Sequence, residues 1–126
     1  MKIGDKINGG IVFYISDDGI NGLAVAIDEP TANKVSVDVA INICKTLNLN
    51  GYKDWYLPSK EELNLIYKNL HLTGLKHFDN EGYWSSSESG TTDDFGLQEQ
   101  WYLDFSNGKL YVTAYDSKLF IAIRAF

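Results

Sequence analysis

The start of a helix is encoded near the middle of this chain, in the segment DWYLPSKEEL at residues 54–63. Ser59 can accept a hydrogen bond from the backbone N–H of Glu62, and the Glu62 carboxylate can reach back to Ser59, which makes a capping box. Pro58 disfavours the helical conformation at the residue before it, so the chain must arrive extended. The sequence therefore predicts an extended aromatic segment that turns sharply into a helix from Lys60 to about Leu70.

The two residues at the front of this segment have structural interpretations. Trp55 is expected to fill the space between a helical layer and a sheet, because a large aromatic ring supplies buried area first. Asp54 is expected to hold the turn by accepting backbone N–H groups. Arg124 lies between apolar residues near the end of the chain and needs a carboxylate partner if it is buried, for which Asp28 and Asp104 are the candidates.

The length and charge of the chain limit its architecture and its partners. A chain of 126 residues, 44% apolar and 22% charged, is expected to form a single domain over residues 1–126. A net charge of −6 argues against nucleic acid and anionic surfaces as partners. No apolar run approaches the roughly 20 residues that membrane insertion needs, and no signal peptide is recognisable in this chain. A single cysteine, Cys44, makes neither an internal disulfide nor a cysteine-based zinc site.

Apolar periodicity and turn residues predict an α+β protein of the order β-β-α-α-β-β-β-β. The predicted helices cover residues 35–49 and 60–70, and the predicted strands cover residues 11–15, 23–27, 83–87, 101–105, 110–114 and 117–126. Asn50-Gly51 is interpreted as the signal that ends the first helix. Asn107-Gly108 predicts a two-residue type I′ hairpin turn. The polar stretch 88–96 is predicted to be a loop.

Six segments, taken together and in order, carry a resemblance to a known family. They are GGIVFYI (9–15), GLAVAID (22–28), GYKDWYLPSKEEL (51–63), YWSSSE (83–88), QWYLDFSNG (100–108) and AIRAF (122–126). The chain resembles the small bacterial and phage domains named after the C-terminal domain of the Legionella collagen-like adhesin.

That resemblance implies a C-type lectin-like fold, in which two helices flank a twisted antiparallel sheet and the N- and C-terminal strands pair. It also implies a non-catalytic adhesin or receptor-binding domain, extracellular or on a cell or virion surface, within a larger surface or tail-fibre protein. The namesake adhesin is thought to bind sulfated polyanions, whereas a charge of −6 disfavours that ligand class here. A glycan or protein receptor is the expected partner, and the domain could be part of a homo-oligomer.

The expected contact region is a loop over residues 86–100 together with the strands beyond it. Sugar recognition needs an aromatic face and planar polar groups, and both occur here. On the return strand, the more exposed face is predicted to carry Tyr111, Thr113 and Tyr115, and the opposite face Leu110, Val112 and Ala114. Trp84 and Trp101 are assigned to the core. The candidate ligand-binding residues are Glu88, Thr92, Asp93, Asp94, Gln98, Tyr102, Tyr111, Thr113, Tyr115 and Asp116.

No catalytic or cofactor motif is recognisable in the sequence. His71 and His77 lack the spacing of a zinc site, and Ser85-Ser86-Ser87 has no base nearby in sequence. No cofactor is expected, with calcium as an alternative, because acidic residues are concentrated between Glu88 and Asp104. Their spacing matches neither an EF-hand nor the motifs of calcium-dependent lectins.

Three other functions stay open from the sequence. The domain could serve only in assembly, packing against partner chains of a fibre without binding a small ligand. It could be an enzyme on the scaffold of the formylglycine-generating oxidases, although these need paired reactive cysteines and Cys44 is alone. It could also be a hypervariable receptor binder, for which the Tyr, Ser, Asn and Asp content near the C-terminus is suitable.

Overall fold

The computed structural model describes residues 1–7, 9–30 and 33–126, and within them two helices separate an N-terminal from a C-terminal group of strands. The elements are β1 (Lys6–Ile7), β2 (Gly10–Ile15), β3 (Gly22–Ala26), α1 (Val37–Thr46), α2 (Lys60–Ile66), β4 (Gly82–Thr92), β5 (Gln98–Asp104), β6 (Lys109–Thr113) and β7 (Ile123–Ala125). A π-helical turn, Tyr67–His71, continues α2. The α+β class is therefore confirmed.

The strands form two antiparallel sheets rather than the expected single one. The four-stranded sheet has the order β1-β2-β3-β7, and the three-stranded sheet has the order β4-β5-β6. The last strand joins the N-terminal sheet, as the resemblance implied, but it pairs with β3 rather than with the first strand. Because β7 covers only Ile123–Ala125, the strand predicted over 117–126 is too long.

The capping box before α2 is confirmed. The Ser59 hydroxyl accepts from the backbone N–H of Glu62 at 3.1 Å, and the Glu62 carboxylate accepts from the backbone N–H of Ser59 at 2.9 Å. Lys60 begins the helix, as predicted. The helical backbone continues through the π turn to His71, so its end agrees with the predicted one.

The predicted bounds of α1 are wrong at both ends. Ser36 caps the helix by accepting from the backbone N–H of Val39, and the helix ends at Thr46. Asn50 and Gly51 lie beyond that end, with φ values of 54° and 82°. They form a tight turn between Leu49 and Tyr52, which exchange two backbone hydrogen bonds. The left-handed backbone was correctly inferred, but it belongs to this turn and not to the helix end.

Two clusters of buried side chains form the core. The first lies between β2, β3, α2 and the near ends of β4 and β5, and its members include Phe13, Val25, Leu63, Ile66, Leu70, Tyr83, Leu103 and Phe105. The second lies against α1 and contains Ala26, Ala40, Cys44, Trp55, Leu57, Trp84, Phe120 and Ala122. The burial predicted for Trp55 and Trp84 is thus confirmed.

Arg124 is buried, as its apolar neighbours suggested, but both predicted partners are wrong. Its guanidinium donates to the two carboxylate oxygens of Asp54, at 2.9 and 3.3 Å, and lies over the Tyr52 ring. Hydrogen bonding from Arg124 is the main reason that the pKa of Asp54 is lowered. Asp54 therefore joins the extended segment before α2 to the last strand, whereas the expected role was to hold the local turn.

The polar region predicted as a loop over 86–100 is instead most of a long β-hairpin. β4 runs for 11 residues to Thr92, and β5 begins at Gln98. We call residues 88–98 the arm. Most of its side chains are exposed on both faces, so the sequence carries no apolar alternation there and polarity alone suggested a loop.

The hairpin between β5 and β6 also differs from its prediction. Four residues separate Asp104 from its partner Lys109, and of the Asn107-Gly108 pair Gly108 alone has a positive φ, so the turn is not type I′. Asp104 holds this turn, because its backbone carbonyl accepts from the N–H of Gly108 at 2.7 Å and its carboxylate accepts from the backbone N–H of Ser106 at 2.8 Å.

Three expectations about side chains of this sheet are wrong. Leu110 is 36% exposed, close to the 39% of Tyr111, because β6 is an edge strand without a second neighbour. Tyr115 lies beyond the end of β6 and so does not share its face. Trp101 is only half-buried, with the Lys60 ammonium 4.7 Å from its ring centroid.

Candidate functional site

A row of three aromatic side chains crosses the three-stranded sheet from its buried to its exposed edge. Tyr102 in β5 is paired with Trp84 in β4 on one side and with Tyr111 in β6 on the other. The Trp84 and Tyr102 rings meet edge to face at 6.2 Å, and the Tyr102 and Tyr111 rings stack at 5.7 Å. The row begins in the core and ends at a partly exposed phenol, so a rigid base supports an accessible aromatic surface.

A charged pair lies directly over this row. The Lys118 ammonium is 4.1 Å from the Tyr102 ring centroid and 2.8 Å from the Asp116 carboxylate. The hydrogen bond from Lys118, followed by one from the backbone N–H of Ser117, lowers the pKa of Asp116. Asp116 is therefore ionised at neutral pH and presents a fixed acceptor beside the aromatic row.

The chain path explains how this pair reaches Tyr102. After β6 ends at Thr113, residues 114–118 pass to Val35, which exchanges two backbone hydrogen bonds of 2.9 Å with Lys118. This segment lies on the same side of the sheet as the aromatic row, since Lys118 contacts the Tyr102 ring. The crossing segment and the sheet thus present their polar and aromatic groups together.

Two further polar groups border the row. The Asn107 side-chain amide donates to the Tyr111 hydroxyl at 3.1 Å, which orients the exposed phenol. Thr113 is paired with Gln100, which is paired in turn with Glu88, so a polar row runs parallel to the aromatic one. We call this surface the tyrosine face; it consists of Tyr102, Asn107, Tyr111, Thr113, Asp116 and Lys118.

The remaining candidates lie along the arm and at its tip. Thr92 and Gln98 are paired near the end of the hairpin, and Asp93 accepts from the backbone N–H groups of Phe95 and Leu97, both at 2.9 Å. Asp93 therefore holds the turn, while Asp94 is exposed beside it.

The structure brings some of the ten candidates together and separates others. Tyr102, Tyr111, Thr113 and Asp116 form one surface, and Glu88 extends its polar row. Gln98 lies four residues along β5 from Tyr102, which is about 13 Å at the usual rise of a strand. Thr92, Asp93, Asp94 and Gln98 thus belong to a second surface, and Tyr115, 81% exposed, lies at the edge of the first.

Sequence reasoning missed two residues of this surface, Lys118 and Asn107. Asn107 was interpreted only as a turn residue, although its position four residues before Tyr111 across a hairpin turn could have suggested a contact. Lys118 follows the strand in a polar stretch, and no local pattern connects it with Tyr102. Its placement depends on the long-range bridge to Val35.

The acidic residues considered as calcium ligands form hydrogen bonds with different partners within the protein. Asp93 holds the arm tip, Asp104 accepts from Ser106, and the Glu99 carboxylate accepts from the Thr91 hydroxyl at 2.9 Å. Within residues 1–7, 9–30 and 33–126, no three His, Cys, Asp or Glu side chains are close enough to hold a metal ion.

A concavity of about 240 Å³ lies beside the C-terminal half of α1. Its walls are Ile41, Cys44, Lys45, Tyr56, Leu57 and Ser86. Burial raises the pKa of the Cys44 thiol to about 12, and burial followed by the Glu62 charge raises that of Tyr56 to about 12. Both groups are therefore protonated at neutral pH, and the lining is predominantly apolar.

No helix in the part of the chain that the structure describes is both long and apolar enough to cross a bilayer.

Comparisons with known proteins identify the family of this chain. A search of curated proteins finds no match. The model of the Lcl C-terminal domain family matches residues 16–124, which include both helices, the strands β3 to β6 and most of β7. The chain therefore belongs to the Lcl C-terminal domain family.

Proposed function

We propose that this chain is a non-catalytic recognition domain that binds a glycan or a surface receptor through the tyrosine face. It would act at a cell or virion surface, as part of a larger adhesin or tail-fibre assembly. The observation that carries the proposal is the stacked pair of Tyr102 and Tyr111, anchored on buried Trp84 and bordered by oriented polar groups. Binding sites commonly combine an aromatic surface with a few fixed polar groups.

The polar groups of the tyrosine face suit hydroxyl-bearing ligands. The Asp116 carboxylate accepts hydrogen bonds, while the Asn107 amide and the Tyr111 hydroxyl supply both donors and acceptors. A tyrosine ring offers a rigid apolar face at a low cost in side-chain entropy. These groups match the alternating C–H and O–H surfaces of a sugar ring.

The charges favour an uncharged glycan over a polyanion. Lys118 forms an ion pair with Asp116, and Lys109 lies opposite the acidic Asp104 in the register of β5 and β6. With a net charge of −6 on the chain, no excess positive charge is left at this surface to attract sulfate or phosphate groups.

We also propose that the fold is a variant of the C-type lectin-like fold. Three features support this: the C-terminal strand enters the N-terminal sheet, two helices lie between the two groups of strands, and the later strands form a separate sheet with an exposed hairpin. The tyrosine face and the arm both belong to that second sheet.

Binding to an array of neutral glycans tests the proposal, with two tyrosines as a matched pair. Tyr111 and Tyr14 are both 39% exposed, but Tyr14 lies in β2 of the other sheet. Tyr111→Ala should weaken binding by about 10-fold or more, the range for an aromatic contact residue of a binding site. Tyr14→Ala should leave it within about twofold.

Two results would count against the proposal. One is equal loss of binding in the Tyr111→Ala and Tyr14→Ala variants. The other is an array without any bound glycan together with turnover of a glycan or peptide substrate, which would make the domain an enzyme.

A second candidate function is assembly without a small ligand, which the tip of the arm favours. Phe95 is 87% exposed there, next to Leu97 at 37%, so an apolar contact point projects from a polar hairpin. Under this alternative, Phe95→Ala should abolish association with the neighbouring chain of the fibre, whereas Tyr111→Ala should not. Glycan binding that survives Phe95→Ala would favour the first candidate.

A further inference from the structure

The two sheets have four edge strands, and three of these edges are protected. β1 is only two residues long. The outer side of β7 is covered by Tyr56, which exchanges backbone hydrogen bonds of 2.8 and 2.9 Å with Ile123. β4 has two register shifts, and its backbone N–H groups at Trp84 and Ser86 donate to residues 119 and 58. Short length, bulges and covering segments are the ordinary ways in which proteins prevent strand addition at a sheet edge.

β6 has none of these protections. Its five residues pair with β5 in continuous register from Lys109 to Thr113, without a bulge. Within residues 1–7, 9–30 and 33–126, no backbone hydrogen bond joins β6 to any segment except β5 and the turn before it. Leu110 and Tyr111, which point to opposite faces, are both more than one-third exposed. The backbone groups on the outer side of β6 are thus available to another strand.

The sequence of this strand, KLYVT, is suited to pairing with a second copy of itself. In an antiparallel pair centred on Tyr111, each residue meets its mirror position, so Tyr111 faces Tyr111 of the second copy. Leu110 then faces Val112, and Lys109 faces Thr113. Apolar residues meet apolar residues, and the one charged side chain of the strand does not face its own copy.

Both faces of the sheet would be continued by this pairing. Leu110 and Val112 lie on the same face as Leu103 and Trp101, their partners in β5, and they would extend that apolar strip across the junction. On the opposite face, the Trp84, Tyr102 and Tyr111 row would meet the same row of the second copy. A C₂ dimer requires such self-complementarity, because the same surface serves both subunits.

We propose that the chain forms a two-fold symmetric homodimer by antiparallel pairing of β6 with β6 of a second copy, giving a continuous six-stranded sheet. The inference is independent of the proposed ligand, because it rests on the open edge and its side-chain order. It adds one property to the recognition domain: two tyrosine faces would adjoin on a single surface.

Sedimentation equilibrium over a range of chain concentrations, at about 0.15 M salt to screen the net charge, tests the dimer. The wild-type chain should change from 14.2 kDa at low concentration to twice that mass at high concentration. Tyr111→Lys alone and Tyr111→Glu alone should both stay monomeric, because each places two like charges opposite one another at the two-fold axis. An equimolar mixture of the two variants should recover the doubled mass.

A cysteine at the same position tests the register separately. Directly opposed residues have Cβ atoms about 4.5–5.5 Å apart, so Tyr111→Cys should form an inter-chain disulfide under mild oxidation. Thr113→Cys is the control, because residue 113 faces residue 109 and should not cross-link with its own copy. The native Cys44 is buried and should not react.

Folding and added charge are controlled by variants elsewhere. Ile20→Lys and Ile20→Glu add the same charges at a site that is 74% exposed outside the strands, and neither should change the association. Circular dichroism should show that all variants keep the wild-type spectrum. A wild-type chain that stays at 14.2 kDa at every concentration overturns the proposal, as does a dimer that persists in both Tyr111 charge variants.

Discussion

The two sheets of this domain are built from similar strands but are used differently. The four-stranded sheet is joined to both helices through the core, its central strands β2 and β3 are mostly buried, and its last strand is covered by Tyr56. The three-stranded sheet is buried around Tyr83, Trp84, Ser85, Gln100 and Leu103, and beyond Gln100 it extends into solvent as the arm.

The difference indicates that one small domain combines a rigid scaffold with a surface on which substitutions should be tolerated. Side chains in the four-stranded sheet contribute to stability through packing, so substitutions there should be costly. Side chains of the arm, and exposed members of the tyrosine face such as Tyr111 and Asp116, should tolerate change with little effect on folding. Tyr102 is an exception, because it packs against the second core cluster. The three-stranded sheet should be sensitive at its base and tolerant at its tip.

The largest loss of unfolding free energy is expected for a substitution in the four-stranded sheet. Phe13 in β2 is fully buried in the first core cluster, so Phe13→Ala should lower the free energy of unfolding by about 3–5 kcal/mol. Tyr14→Ala, one residue along the same strand but with its side chain 39% exposed, should cost less than about 1 kcal/mol. Urea denaturation measures both, and similar losses would remove the distinction between scaffold and surface.

The next largest loss of stability is expected at the end of the three-stranded sheet opposite the arm, in the turn between β5 and β6. Gly108 has a φ of 74°, and a Cβ there would lie 2.6 Å from the Tyr67 ring, so Gly108→Ala should cost about 2–4 kcal/mol. Gly51 has a similar φ of 82° but open space around it, so Gly51→Ala should cost only about 1–2 kcal/mol. Thermal unfolding of the two variants compares them, and equal losses would mean that the contact with Tyr67 contributes nothing.

A smaller effect is expected where the last strand is held by Asp54. Arg124 is 8% exposed and would lose its carboxylate partner in Asp54→Asn, which should cost about 1–2 kcal/mol because Asp54 itself is largely exposed. The pKa of Asp54 is lower in the folded than in the unfolded chain. Its contribution is therefore complete above the unfolded pKa and is lost as the pH falls through the folded one.

The pH dependence of the unfolding free energy tests this prediction specifically. The difference in unfolding free energy between the wild type and Asp54→Asn should be constant above about pH 5 and should decrease below about pH 4. A difference that does not change with pH would show that the ion pair contributes nothing and that only the amide geometry matters.

The smallest effect is expected at the tip of the arm. Phe95 is 87% exposed, so Phe95→Ala should change the free energy of unfolding by less than about 0.5 kcal/mol. A loss above about 1 kcal/mol in a dilute, monomeric sample would mean that the arm folds back on the scaffold.

The features that sequence reasoning predicted correctly depend on local chemistry. The capping box at Ser59 and Glu62 involves residues three apart, and the hairpin of β2 and β3 follows from two apolar runs around a turn. The family resemblance added the return of the C-terminal strand to the N-terminal sheet, which no local pattern contains.

The two Asn-Gly pairs show where local chemistry was insufficient. Asn107-Gly108, in a strong hairpin context, forms a four-residue turn in which Asp104 accepts from the backbone N–H groups of Ser106 and Gly108. Asn50-Gly51, interpreted as a helix end, forms a tight turn with both residues at positive φ. In both cases the dipeptide permits the left-handed backbone, and the residues around it decide which turn is made.

The candidate site was predictable in its residue types but not in its arrangement. The stacking of Tyr102 on Tyr111 follows from strand alternation and a correct pairing of the two strands. The Lys118 contact and the Arg124–Asp54 pair depend on residues far apart in sequence. No single-sequence pattern connects such residues, so their partners could not be chosen among several plausible carboxylates and cations.

The pairing of β3 with β7 has a consequence for how the chain reaches this structure. It joins Leu23 with Ala125, positions about a hundred residues apart, so completing the four-stranded sheet requires closure of a loop of that length. Closure over such a distance slows folding, and a kinetic trap with β3 exposed would be vulnerable to aggregation. If α2 forms early at its capping box and the chain collapses around it, the distance between β3 and β7 before they pair would be shorter.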